Sequence, residues 1–171
     1  MADSGKSTVG LRPEDARTPS GAERDGDPAP GVTDRLYVVA AFGIQIALVA
    51  FFALRTWALE TALEVGWIVY ALAIPAVAVS IILIRSGRPW YLWIAGFAYA
   101  GWAALGFAVD VARPIDWRWP IVWPIFLPYV ALYLAAQMFY WWPLARFDRR
   151  LWAAYAVLFL LSTGLNIGSH G

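Results

Sequence analysis

Apolar positions along this chain gather into five long runs: Leu36–Leu54, Val65–Ile84, Pro89–Val109, Trp119–Trp142 and Leu151–Ile167. A bilayer core about 30 Å thick is crossed by ~20 apolar residues of helix, and the runs match that length. The fifth, with 17 residues, sits at the short limit. Polar side chains inside the runs are few: Gln45 in the first, Ser80 in the second, Gln137 in the fourth, and Ser162, Thr163 and Asn166 late in the fifth. Pro75 interrupts the second run, and Pro120, Pro124 and Pro128 recur every four residues in the fourth. Prolines are tolerated in membrane helices where neighbours re-satisfy the freed carbonyls. The pattern predicts an all-α fold, a polytopic membrane bundle of five transmembrane helices over residues 36–167.

Residues 1–35 read differently. They are rich in Gly, Pro, Ser, Thr, Asp and Glu, and no apolar stretch in them exceeds two residues. Such a segment cannot bury enough surface to offset its ordering entropy, so a disordered cytoplasmic tail is expected. It holds no apolar core of signal-peptide length. Gly5-Lys6-Ser7-Thr8 has the ending of a phosphate-binding loop but neither the earlier glycine nor the preceding strand. Residues 168–171 form a short C-terminal tail.

Composition sharpens this picture. Hydrophobic residues make up 61% and charged residues 15%, against roughly 45–50% and about 25% in ordinary soluble domains. With no cysteine, thiolate metal sites, iron–sulfur clusters and thiol nucleophiles drop out. The one histidine, His170, leaves no pair of axial haem ligands inside the membrane. No metal or cofactor is therefore expected, and a net charge of +1 gives no reason to expect nucleic acid.

Arginine placement sets the expected orientation. Arg24, Arg35, Arg85, Arg88, Arg146, Arg149 and Arg150 fall on one side, and Arg55, Arg113 and Arg118 on the other. Cytoplasmic loops carry the excess of Lys and Arg, so a cell-membrane protein with its N-terminus inside and its C-terminus outside is expected. Most of the 11 tryptophans, Trp57, Trp67, Trp117, Trp119 and Trp141 among them, fall at run ends where aromatic belts sit. In the third run Gly96, Ala100, Ala104 and Ala108 lie four apart. That spacing suggests a close-contact face inside the bundle or at a homodimer seam.

Two constellations could carry chemistry. On the expected outer face lie Glu60 and Glu64, one helical turn apart, and Asp110 at the very end of the third run. Arg113, three residues on, is expected to reach back and neutralise Asp110. With a loop carboxylate, Asp110 could serve as an acid/base pair at the membrane surface. The second constellation is the stripe Tyr129, Tyr133, Gln137 and Trp141, which repeats every four residues. It could line a cavity for a flat apolar ligand or pack into the core with its phenols bonded to carbonyls.

Two short likenesses occur here. Trp123-Pro124 followed by Leu132-Tyr133 resembles a stretch of the tryptophan-rich sensory (translocator) proteins, which bind porphyrins and sterols. In that family the stretch opens the second span, whereas here it lies in the fourth, and the family's asparagine motif is missing. Asp116–Tyr133 is similar to the entry segment of membrane phosphatidic acid phosphatases, whose catalytic Arg, Ser-Gly-His and His elements do not follow. No family is assigned on these. The leading expectation is a non-enzymatic subunit or binding module for an apolar ligand or a membrane partner, in contact with the lipid bilayer. The alternative is a membrane enzyme acting on lipid or isoprenoid substrates through Asp110 with Glu60 or Glu64.

Overall fold

The computed structural model describes residues 31–117 and 120–168, and every regular element among them is helical. Five helices are long and apolar enough to cross a membrane: α1 (Val32–Trp57), α2 (Leu59–Arg85), α3 (Trp90–Ala112), α4 (Trp123–Phe147) and α5 (Arg149–Gly168). The all-helical class and the five long apolar helices agree with the sequence pattern. The expected tail as far as residue 30, with Gly5–Thr8 inside it, lies outside the described residues. So do Arg118, Trp119 and His170.

Local chemistry shifts the helix ends away from the apolar runs. α1 starts at Val32 because the Asp34 carboxylate accepts the Gly31 amide at 3.1 Å, closing the first turn from within. α2 starts at Leu59, so a single non-helical residue, Ala58 (φ −147°, ψ 69°), separates it from α1. Glu60 and Glu64 consequently lie on a helix rather than in a loop. α2 is broken at Gly66 and again at Leu72, three residues before Pro75. A proline ring clashes with the carbonyl four residues back and supplies no amide, which accounts for the second break. Pro124 sits in the first turn of α4, where a missing N–H costs nothing, so that helix begins at Trp123. The turn from α2 to α3 places Gly87 at φ 66°, a left-handed conformation that favours glycine. There the Arg88 amide donates to the Leu83 carbonyl, closing a Schellman turn.

Consecutive helices pack as antiparallel neighbours, and α1 also packs against α5, which closes the bundle. At one end, which carries the start of α1, Arg88 donates to Asp34 and, at 3.1 Å, to Thr33. The chain entry of α1 is thereby tied to the α2–α3 turn. Tyr37 extends the same tie to α4 by donating to the carbonyls of Phe139 and Tyr140.

Buried polar side chains bridge helices, as expected of amides in an apolar bundle. Gln45 of α1 donates to Ser162 of α5 at 2.8 Å, and Tyr155 of α5 donates to Gln137 of α4 at 2.9 Å. The contact line on α3 follows Gly96, Tyr99, Ala103 and Gly106, all buried. The four-residue stripe leaves this line: Ala100 is half-buried, and Ala104 and Ala108 are exposed. At 3.6 residues per turn, each four-residue step rotates the stripe by roughly 40°, so its far end turns out of the interface.

Candidate functional site

Asp110 lies where α3 ends, and the local backbone places it. The last turn, Ala108–Ala112, widens to i→i+5 hydrogen bonding, with the Arg113 amide donating to Ala108 at 3.0 Å. Such π turns are rare and frequent at functional sites. Among the described residues, Tyr70 and Trp117 both donate to the Asp110 carboxylate. The Tyr70 hydroxyl donates to one oxygen at 2.5 Å, and the Trp117 indole N–H donates to the other at 3.0 Å. Arg113 is exposed, and among the described residues no ion pair joins it to Asp110. The expected Asp110–Arg113 pair is not formed because the wide turn, and the non-helical backbone of Arg113 itself, carry that side chain out of α-helical register. Glu60 and Glu64 are exposed, and neither bonds to Asp110 among the described residues.

Tyr70 can reach Asp110 because of a glycine. A Cβ on Gly106 would come within 2.6 Å of the Tyr70 ring, so the ring lies against bare backbone. Trp117 also departs from its expected place in an interface belt. Only 2% exposed, it folds back to pack on Tyr129 with ring centroids 4.8 Å apart. Neither Tyr70 nor Trp117 was legible beforehand as a partner of Asp110. Tyr70 is forty positions away in a run with no polar neighbours, and Trp117 looked like any other run-end tryptophan.

The aromatic stripe of α4 is recovered as a face, and all of it is engaged. Tyr129 and Tyr133 pack on Trp102 of α3, with centroids 5.6 and 5.7 Å away. Gln137 is fully buried on Tyr155. Trp141 stacks on Trp152 of α5 at 5.1 Å and donates to its carbonyl.

Space for a ligand lies beside this stripe, on the other flank of α3. A groove of about 270 Å³ runs between α2 and α3. Trp67, Tyr70, Ala71, Ala73 and Ile74 line one side, and Ala100, Ala103, Ala104 and Phe107 line the other. The alanines open it, Tyr70 forms its inner wall, and its surface is almost entirely apolar. Among the described residues no cluster of His, Asp and Glu is spaced to hold a metal ion.

Comparison with known proteins returns no matching family model, no similar curated protein and no similar solved structure. Neither short likeness in the sequence gains support from it.

Proposed function

We propose that this is a multi-pass membrane protein that binds an apolar molecule taken from the bilayer, without catalysing a reaction on it. The groove between α2 and α3 carries this reading. Its volume of about 270 Å³ falls just below the range of ordinary ligand pockets, as suits a slender molecule. Its mouth is rimmed by the exposed Trp67, Ile74, Ala104 and Phe107, which would face acyl chains in a bilayer. A molecule dissolved in the membrane can enter such a groove sideways, whereas a polar solute has no route to it. The expected alternative form, docking of a membrane partner, draws less support, since a narrow groove suits a slender molecule better than a helix.

Narrowing the groove tests the proposal. Ala100 and Ala104 point into existing space, so Ala100→Leu and Ala104→Leu should fold normally and exclude the ligand. At about 1–3 kcal/mol of overpacking in the occupied state, retention should fall roughly tenfold or more. The check is mass spectrometry of the small molecules that travel with the protein through mild detergent, alongside thermal stability of each variant. Unchanged retention in both variants, or no apolar molecule retained by the unaltered chain, would sink the reading.

The enzymatic alternative rests on one observation, the half-buried Asp110 on its π turn with donors from Tyr70 and Trp117. No second carboxylate joins it among the described residues, and an acid/base pair would need one. In the proposed membrane orientation the arginine-rich end, with Arg85, Arg88, Arg146, Arg149 and Arg150, faces the cytoplasm, and the Asp110 end faces outward. A C-terminal fusion to a reporter active only outside the cytoplasm should therefore give signal. Activity of a cytoplasm-only reporter at the same position would reverse the orientation.

A further inference from the structure

One cation at the arginine-rich end is held unlike its neighbours. The Arg146 guanidinium, near the end of α4, lies over the Tyr91 ring at 4.7 Å and the Trp142 ring at 5.4 Å. It also donates to the Tyr91 hydroxyl at 3.1 Å. The shelf is firm, since Tyr91 and Trp142 pack on each other with centroids 5.4 Å apart. Arginine side chains carry much rotamer entropy, and a surface guanidinium ordinarily loses most of its binding energy to that freedom. Here the two rings and the bond to Tyr91 restrict that freedom. Yet the group remains exposed, and among the described residues no carboxylate pairs with it.

The nearest acid in sequence is otherwise committed. Asp148 accepts the Arg150 backbone amide at 2.7 Å, capping the start of α5. Arg149 and Arg150 then occupy the first turn of α5, where the helix dipole is positive and two cations are unfavourable. Cations placed against the dipole, three and four residues along the chain from a guanidinium with no carboxylate partner among the described residues, concentrate positive potential where α4 gives way to α5. The contrast with Arg88 is instructive, since that arginine is paired with Asp34 and serves the fold.

We propose that Arg146 on its Tyr91–Trp142 shelf, with Arg149 and Arg150 beside it, is a binding site for a phosphate group, supplied by the head group of an anionic phospholipid. Guanidinium donors match phosphate oxygens in a planar fork, and basic pockets between helices near a membrane surface hold such head groups. In the proposed bilayer placement the aromatic shelf lies at the helix ends where acyl chains would begin, so head and tail would find complementary surfaces within one site. The proposal rests on the bilayer reading above.

The test uses the full chain in vesicles of phosphatidylcholine with or without phosphatidylglycerol, followed by native mass spectrometry of retained lipids. Preferential retention of phosphatidylglycerol is expected. Arg146→Gln should weaken it about fivefold, the scale of one interfacial cation. Tyr91→Phe keeps the charge and removes the bond that holds it, so it should weaken retention by a smaller factor. Unchanged thermal stability would show that both variants remain folded. Equal retention of the two lipids, or equal retention by the wild-type chain and by Arg146→Gln, would overturn the site. Added inorganic phosphate, matched in ionic strength by chloride, separates the sources. Retention in both salts supports the lipid head group, displacement by phosphate alone supports a bare phosphate site, and equal loss in both overturns the site as general screening. The bilayer reading fails separately, if alkaline carbonate strips the protein from phosphatidylcholine vesicles.

Discussion

Gly96→Ala is expected to destabilise the protein by about 1–3 kcal/mol, the usual penalty for overpacking a filled interior. A Cβ at this position would lie 2.2 Å from the Ser80 hydroxyl and 2.4 Å from the Ala76 carbonyl oxygen. The second neighbour is backbone, so relief requires α2 and α3 to separate. Gly43 and Gly164 supply the contrast, because a Cβ at either meets nothing within 4 Å. Gly43→Ala and Gly164→Ala should be neutral or gain up to ~1 kcal/mol from better helix propensity. Thermal unfolding in one detergent reads all three, at roughly 2–4 °C per kcal/mol for a chain of this size. Equal melting temperatures for Gly96→Ala and Gly43→Ala would show that α2 and α3 do not meet where the structure places them.

Asp110→Ala should have the second large effect. It removes the acceptor of the Tyr70 and Trp117 bonds, and hydrogen bonds to a charged group contribute about 1.5–3 kcal/mol each. Asp110 is half-buried, so the loss should sit at the lower end, near ~3 kcal/mol in all. A local signature should accompany it. Trp117 is held inside the bundle by this bond and by Tyr129, so its release should expose an indole to solvent and red-shift the emission. Tyr70→Phe removes only its own bond to Asp110 and should cost less, and the effects of Tyr70→Phe and Asp110→Ala should not add, because the two residues share that bond. Asp110→Asn then bears on catalysis. It keeps the shape and one acceptor, so a structural Asp110 loses little, whereas a general acid or base loses ~10²–10⁴-fold in activity at normal abundance. Complementation of a deletion strain, read beside protein abundance in membranes, separates the two outcomes. An Asp110→Ala protein as stable as wild type, with unshifted emission, would remove the carboxylate from its proposed place in the fold.

Much of the architecture was legible from one-dimensional pattern. An apolar run of about 20 residues has few structural options, because its backbone amides must be satisfied within the segment once water is excluded. That constraint acts locally, which is why the five runs anticipated five helices. Gln45 and Gln137 follow a related rule, since a buried amide needs a partner and another helix supplies it. Partner identity was not legible. Which hydroxyl meets which amide depends on how far each helix is rotated about its own axis, and neither composition nor spacing records that angle.

The same rotation decided the site. Equal spacing made Gly96, Ala100, Ala104 and Ala108 look equivalent, yet packing against α2 selects Gly96 and leaves Ala100 and Ala104 lining an open groove. Proximity in sequence likewise pointed Asp110 to Arg113, three residues away. The backbone leaves the α-helix in that interval, and Tyr70 and Trp117 take the place a regular turn would have given to Arg113. Helix number and length follow from short-range forces acting along the chain, chiefly apolar transfer and backbone hydrogen bonding. Groove, carboxylate partners and aromatic shelf follow from side chains meeting across helices, where a few ångströms of displacement or a part-turn of rotation changes every neighbour. For this protein the pattern of residues determined what kind of object the chain forms, and only the packed bundle decided where on it a ligand could sit.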